Sequence, residues 1–485
     1  MVGFSEALAA FTKKARTLPI AESTARLGTF IVGNHGSGKS EIIKHRIWHY
    51  LTKPNPHETI FLLDPHGELA PEVARMKPLY ESDRLVYFDP LLMDGFLPGL
   101  SILNTRNKHP DNIMFEAEVY GKALEAVSGG EMSENMKSLC KRSAHVILED
   151  DRFNVLDLID LVDYSPAARG KPPKSIPPAL KFAQKPKQDG GTCNFMVQKF
   201  FTGNFIDGNF GQAKNGLSER LGRVLDSPIA QRMFLGQPTV DFSSLVNSGK
   251  VVIIRLSKKL GEEVITMIGQ IIVAQIQMEI ERRDESRLDA YPRVHLIMDE
   301  AHHFVSGNTA KQIDELRKYG LSLTLATQYC EKFPPAILNS VLALGVQIAG
   351  LCVHKNLDVM NSAFNLRKSA REEADESQIL ANLPVGNFYF KARATAGQPQ
   401  QKTRQFQTDT TLLFNSPEWK AKNSDRFMTD AEWEATKLDQ IGKYYRRMEP
   451  ASTIETLRTG EEIETRTVDE IEGEFATLRP DLGYD

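Results

Sequence analysis

Residues 29–40 read Thr29-Phe30-Ile31-Val32-Gly33-Asn34-His35-Gly36-Ser37-Gly38-Lys39-Ser40. Thr29 to Val32 favour a strand. The segment after Ser40 carries Ile43, Ile47 and Leu51 at helical spacing on one face. A strand, then G-x-x-x-x-G-K-S, then a helix is the setting in which this motif cradles phosphates. Gly33, Gly36 and Gly38 free the backbone to turn its N–H groups, including those of Asn34, His35 and Ser37, around phosphate oxygens. The helix N-terminus adds positive potential. Lys39 is expected at the β- and γ-phosphates, and the Ser40 hydroxyl on magnesium. ATP with Mg2+ is therefore the expected ligand. A glycine-rich turn that merely ends in Lys39-Ser40 is the plain alternative, and the strand–helix frame argues against it.

The chain has 485 residues, a length that suits roughly three domains. Hydrophobic residues make up 41% and charged residues 25%, an ordinary globular balance. Cys140, Cys193, Cys330 and Cys352 lie far apart with no C-x-x-C, so the spacing suggests neither a disulfide framework nor a zinc site, and a reducing, cytoplasmic setting fits. No signal-peptide pattern opens the sequence. The most apolar long stretch, Val264 to Met278, contains Gln270, Gln275 and Gln277; it reads as a buried helix and not as an integral membrane segment. Net charge is −4, so a nucleic-acid binder would need local basic patches.

Residues 1–28 read as a short amphipathic leader with a basic cluster at Lys13, Lys14 and Arg16. Past the first strand and helix, Thr59 to Leu63 is a continuous apolar run suited to a central parallel strand, and it ends in Asp64-Pro65-His66-Gly67-Glu68. Leu85 to Phe88 repeats the pattern and ends in Asp89-Pro90. This alternation predicts a doubly wound α/β sheet whose functional residues collect at the carboxyl ends of the strands. Asp64 falls there, as a candidate catalytic carboxylate or as the cap of the following turn. Residues 105–245 break the alternation with helical patterns at Ile113 to Val127, Met136 to Leu148 and Val155 to Val162. Within them, 163–192 is Pro-, Lys- and Gly-rich and reads as a basic loop, either a flexible connector or a contact to a phosphate backbone.

The α/β pattern resumes at Lys250 to Leu256, followed by an apolar helix over 262–281. Val294 to Met298 then ends in Asp299-Glu300, a hydrophobic strand closed by two carboxylates. In a chain with this phosphate loop it reads as a Walker B segment: Asp299 serves magnesium and Glu300 polarises the attacking water. Leu321 to Thr327 is a strand ending in Gln328, an amide placed to sense the γ-phosphate or position water. Val346 to Val353 and Phe388 to Ala392 complete the expected sheet. From about 413 the pattern dissolves. The tail 459–485 has nine acidic residues against Arg466 and Arg479, a net −7 that leaves the remainder at +3. It reads as a solvated tail or as a docking tail for a partner. The expected division is 1–104 and 246–412 as two parts of one ATPase core, 105–245 as an all-α insertion, and 413–485 as an extension with the acidic tail.

Taken together, the phosphate loop, Phe61 to Leu69, Val86 to Pro90, Lys250 to Ser257, the Walker B segment and Glu315 to Gln328 resemble the HerA/FtsK superfamily of hexameric motor ATPases. Within it the sequence is most similar to conjugative coupling proteins of the TraD/TraG type, which serve type IV secretion. The Arg317-Lys318-Tyr319-Gly320 stretch ahead of the Gln328 strand is the most discriminating part. The resemblance implies a RecA-like P-loop NTPase fold, ring assembly as a homo-oligomer, and ATP-driven movement of DNA.

 Lys39 and Ser40 would bind phosphate and magnesium, Asp299 and Glu300 would serve the metal and the water, Gln328 would sense the nucleotide, and Arg317 would be the finger reaching a neighbour's site. The 105–245 segment sits where coupling proteins carry an all-α domain. Coupling proteins usually begin with transmembrane helices and HerA proteins with a β-barrel; neither is expected in the first 28 residues. The location expected is thus cytoplasmic, with attachment to the inner membrane through partners. Asp299-Glu300-Ala301-His302 also matches the DEAH box of helicases, but the surrounding strands argue against that class, and His302 reads as incidental. The leading expectation is a DNA-translocating ATPase. The alternatives are a viral genome-packaging or protein-secretion ATPase, and a nucleotide-switched scaffold for a partner nuclease or relaxase. The partners in view are DNA, further copies of the chain in a hexameric ring, and a relaxase, nuclease, secretion channel or capsid component.

Overall fold

The apolar runs become the strands of one nine-stranded sheet in the computed structural model. The structure describes residues 24, 26–54, 56–100, 103, 105, 107–127, 132–165, 175–206, 210–235, 238–305, 315–353, 355–366, 376–393, 404–407, 421 and 424–448. Nearly all of the 1–28 leader, residues 166–174 of the basic stretch and the acidic tail 459–485 lie outside the described residues.

Along the chain the strands are β1 (Thr29–Val32), β2 (Thr59–Asp64), β3 (Leu85–Phe88), β4 (Phe96–Leu97), β5 (Val251–Arg255), β6 (Val294–Met298), β7 (Leu321–Thr327), β8 (Val346–Ala349), β9 (Asn387–Ala392), β10 (Arg404–Gln407) and β11 (Arg446–Arg447). The large sheet has the order β10-β9-β8-β1-β7-β6-β2-β5-β3, and β4 pairs with β11 in a separate ribbon. From β8 to β3 all pairings are parallel, whereas β9 runs antiparallel to β8 and β10 antiparallel to β9. Every residue of β1, β2, β6 and β7 is buried, as expected of parallel strands covered on both faces. Two strands differ from the sequence reading. β8 stops at Ala349, because Gly350 and Leu351 turn aside to bond the phosphate loop, and β10 is an antiparallel edge strand too short and polar to show a pattern.

The chain divides into two compact units: Met1–Phe88, Glu118–Met132 and Phe242–Asp430 in the first, and Asp89–Ala117, Ser133–Asp241 and Ala431–Asp485 in the second. The first holds the whole nine-stranded sheet. Its register aligns Val32 with Thr327 and Ala349, Leu63 with Met298, and Met298 with Leu325. The carboxyl ends of β1, β2, β6, β7 and β8 therefore share one edge.

Helix Lys39–Thr52 buries Ile43, Ile47 and Leu51, the face read from their spacing. Helix Glu262–Glu281 is long and apolar enough by composition to cross a membrane, yet 78% of its apolar window is buried inside the fold. It packs against helix Phe242–Val246 and the Ala301–His303 turn. A Cβ at Gly269 would overlap the Phe304 ring, so the close approach of helix and turn requires glycine there. Thr266 Oγ1 lies 3.3 Å from His303 Nδ1, and Gln270 Nε2 donates to His303 O at 3.3 Å.

Among the described residues the second unit is helical apart from the β4–β11 ribbon. Helices Glu134–Glu149, Val155–Asp163 and Gly211–Leu225 pack on one another. Ser133 caps the first, and Asn154 with Asp157 forms a capping box on the second. Phe200, Phe201, Phe205 and Phe210 form an edge-to-face aromatic cluster beside them. Two elements here correct the sequence reading. Part of the basic loop is the helix Pro178–Ala183, whose Ala179, Leu180 and Ala183 are buried while Lys181 is exposed; its lysines hid a small apolar face. Helix Asp430–Tyr444 lies where the pattern was expected to dissolve. Two of its three buried residues, Thr436 and Gln440, are polar, so no apolar stripe marks it. Beyond it, the Tyr445 hydroxyl accepts from the Asp89 N–H at 2.8 Å, which ties the helix end to the turn after β3.

A buried histidine gives the fold a pH-dependent liability. His295 on β6 stacks on Tyr50 with ring centroids 4.0 Å apart, and neither ring nitrogen has a hydrogen-bond partner. Burial, helped by nearby Arg46, holds its pKa well below the usual 6.5. The unfolded chain takes up this proton near pH 6.5 and the folded chain does not. The stability is therefore intact above that pH and falls below it, by about 1.4 kcal/mol per pH unit. His295→Phe keeps the stack and removes the proton site. Its Tm advantage over the native chain is expected to grow between about pH 7.5 and about pH 5.5; a constant difference would contradict this account.

Candidate nucleotide site

β1 delivers the phosphate loop to the shared strand edge, where the neighbouring strands brace it. Gly33 N donates to Thr327 O (3.4 Å), Asn34 N to Leu351 O (2.8 Å), Gly350 N to Val32 O (2.8 Å) and Gly386 N to Ser37 O (3.3 Å). Gly36 and Gly38 have φ of 73° and 103°, left-handed values that side chains resist. A Cβ at Gly350 would lie 2.9 Å from the Phe388 ring and 3.2 Å from Ser37 Cβ, so the residue that follows β8 can lie against the loop only as glycine. His35 and Gly36 at the loop tip are exposed, Asn34 and Ser40 are half-buried, and Lys39 is buried. Lys39 Nζ donates to Gly33 O (2.8 Å) and Asn34 O (3.3 Å), lying across the inside of the loop. Burial lowers its pKa, while Glu300 and Asp299 act to raise it.

The carboxylates stand beside it. Asp64, fully buried at the end of β2, accepts the N–H groups of His66 (3.0 Å) and Gly67 (2.9 Å) on Oδ1 and of Ala70 (2.8 Å) on Oδ2. Its oxygens are thus committed to capping the following turn, although burial still raises its pKa. Asp299 Oδ1 accepts the Glu300 N–H at 3.1 Å. Burial, then the charges of Asp64 and Glu300, pushes the Asp299 pKa up to about 7. Glu300 has φ 42°, an uncommon value for a residue with a side chain. Its Oε2 accepts the backbone N–H of Gln328 at 3.1 Å and faces Thr327 Oγ1 and His302 Nδ1, each at 3.5 Å.

The structure therefore brings Lys39, Asp64, Asp299, Glu300 and Gln328 to one edge. It also adds residues that sequence reasoning left aside. His302, read as incidental, lies against Glu300, with burial driving its pKa down to about 3. Asn356 fixes the end of β7, accepting from Cys330 N at 2.8 Å and donating to Gln328 O. The His302 contact is local to the turn, whereas Asn356 reaches the end of β7 from a later helix that no motif spacing signals. Arg317 is placed elsewhere. It is exposed in the 3-10 turn Arg317–Tyr319, which follows helical residues 315–316 and leads into β7. The seven residues of that strand separate it from Gln328 by about 20 Å, so Arg317 does not meet the site of its own chain.

The donor set fits a magnesium-bound nucleoside triphosphate. Three buried carboxylates face one buried ammonium, an excess of negative charge that suits a hard divalent cation. Ser37 Oγ is buried within the loop without a hydrogen-bond partner.

No protein-family profile matches the sequence, and no curated protein matches it. Solved structures do share its fold. The bacterial conjugative coupling protein TrwBdeltaN70, in an unbound monoclinic form, superposes with a TM-score of 0.53 at 12% identity, over 81% of this chain and 86% of that one. The plasmid coupling protein TrwB in complex with a non-hydrolysable ATP analogue gives 0.53 at 11% identity, over 83% and 90%. TrwB in complex with ADP and Mg2+ gives 0.51 at 13% identity, with the same coverage. The chain thus has the RecA-like α/β fold of the coupling proteins.

Asp64→Asn tests the capping role. The amide turns one acceptor oxygen into a donor facing backbone N–H groups, and leaving a buried donor unpaired costs about 1–3 kcal/mol. A lowered Tm is expected, and unchanged stability would show that the three bonds to Asp64 do not matter.

Proposed function

We propose that the chain is an ATPase that works as a ring motor on DNA, in the manner of conjugative coupling proteins. The observation that carries this reading is the convergence of Lys39, Asp299, Glu300 and Gln328 at one edge of a sheet that superposes on TrwB. The loop N–H groups from Gly33 to Ser40 and the Lys39 ammonium would hold the β- and γ-phosphates. Mg2+, held by Ser40 and Asp299, would draw off the charge that builds on the phosphate oxygens. Glu300 would accept the proton of the attacking water, and Gln328 would orient that water. Because Glu300 is bonded to the Gln328 N–H, a shift at the end of β7 alters the position of the base. The domain division at 105, 246 and 413, the cytoplasmic location and a hexameric assembly belong to the same proposal.

Lys39→Ala is expected to abolish turnover through the lost charge at the phosphates. Glu300→Gln is expected to retain ATP binding while hydrolysis falls about 10²–10⁴-fold, the usual contribution of a positioned base. Binding by fluorescent nucleotide and turnover by phosphate release separate the two effects. Fast hydrolysis by Glu300→Gln would assign the base elsewhere. Turnover with and without DNA tests the load. Strong stimulation, with DNA affinity that weakens steeply in salt and ignores sequence, supports translocation; none would favour the scaffold alternative.

Arg317 is proposed as a finger that acts on a neighbouring chain, since its own site lies at the far end of β7. Arg317→Ala should then bind ATP and lose about 10³–10⁵ in turnover. Mixing it with Lys39→Ala should restore part of the activity, because some interfaces pair an intact loop with an intact arginine. No recovery in mixtures shown to exchange subunits removes this role unless the sites fire only in a fully intact ring, which a titration of the native chain with Lys39→Ala tests.

A further inference from the structure

The second unit holds a cluster for which the nucleotide reading has no use. His145 and Glu149 lie one turn apart on helix Glu134–Glu149 and so share a face. The segment ahead of helix Phe195–Thr202 folds back onto that face. Thr192 Oγ1 donates to Glu149 Oε2 at 2.6 Å, and the Cys193 N–H donates to Glu149 Oε1. His145, one Glu149 oxygen and Cys193 Sγ then present three ligand atoms that all lie within 4.8 Å of one another, the one such group among the described residues. His145 is only 2% exposed. Its Nε2 faces Glu149 Oε2 at 3.6 Å, beyond hydrogen-bond distance, and has no hydrogen-bond partner among the described residues. A buried polar atom left in this way asks for a ligand.

We propose that His145, Glu149 and Cys193 form a binding site for a transition-metal cation of the Zn2+ class. One imidazole nitrogen, one carboxylate oxygen and one sulfur are the donors that Zn2+ accepts, whereas Mg2+ and Ca2+ require oxygen throughout. The charges also close: a neutral imidazole, a carboxylate and a thiolate balance a divalent ion. On binding, the Cys193 S–H bond breaks, a sulfur–metal bond forms, and the proton passes to solvent. Burial and the Glu149 carboxylate hold the thiol pKa up at about 11, an opposition that a divalent cation reverses. The Thr192 hydroxyl and the Cys193 N–H already orient the carboxylate, as groups behind a metal ligand do. Lys141 and Lys187 are the nearest opposing charges. The fourth position of a tetrahedral ion is left to water. A bound ion would fasten the end of helix Glu134–Glu149 to the start of helix Phe195–Thr202, whose Phe195 and Met196 are exposed.

The test uses the full chain, stripped by chelator and titrated with Co2+ and Zn2+ in excess Mg2+. One Co2+ per chain is expected, with a thiolate-to-cobalt charge-transfer band that Zn2+ abolishes by displacement. Zn2+ should also raise Tm. Cys193→Ser, at a half-buried position, should fold with native circular dichroism and lose both the band and the Tm shift. His145→Gln should weaken Zn2+ binding by roughly 10–100-fold or more. Absence of the band in the native chain, or its persistence in folded Cys193→Ser, would overturn the assignment. Neither readout involves ATP.

Discussion

Three carboxylates and one ammonium are held out of water at the carboxyl ends of β1, β2 and β6, and much of the first unit serves to keep them there. Asp64, Asp299, Glu300 and Lys39 are each less than a tenth exposed. Like charges at such depth raise one another's pKa, as Asp299 shows, unless cations answer them. The parallel register sets their spacing, because it stops β2, β6 and β7 at one level. Backbone hydrogen bonds from β7, the end of β8 and the turn before β9 then brace the loop from outside, while the Lys39 ammonium spans it from within. Asp64 commits both oxygens to its own turn, whereas Asp299 and Glu300 each accept a single backbone N–H.

The parts of this arrangement that were legible in the sequence are those in which local pattern and global role coincide. A parallel strand buried on both faces must be apolar throughout, so β1, β2, β6 and β7 announce themselves, and the residue that ends each one is marked as an edge residue. What was not legible depends on which strand lies beside which. That β7 lies beside β6 is the reason Gln328 and Thr327 meet Glu300, and nothing in the spacing of 300, 327 and 328 states it. Elements with polar buried faces, such as Asp430–Tyr444, were missed for the converse reason: their packing is not apolar enough to leave a period.

The second unit repeats the lesson on a smaller scale. His145 and Glu149 have a spacing that any helix would turn to one side. Cys193 joins them from 44 residues beyond Glu149, through a fold-back that includes the contact between Phe182 O and Thr192 N. A search for closely spaced cysteines passes over such a site, because only one of its ligands is a cysteine and the chain path supplies the third.

The missing side chain at Gly269 has a mechanical meaning. The Phe304 ring occupies the notch that this glycine leaves in helix Glu262–Glu281, and the flanking positions are Ile268 and Gln270. Sliding the helix by one residue in either direction would drive a bulky side chain into the ring, so ring and notch act as a key in a slot. Phe304 lies four residues past Glu300. A displacement that carried Glu300 and its turn together along the helix would meet this slot as a steric stop.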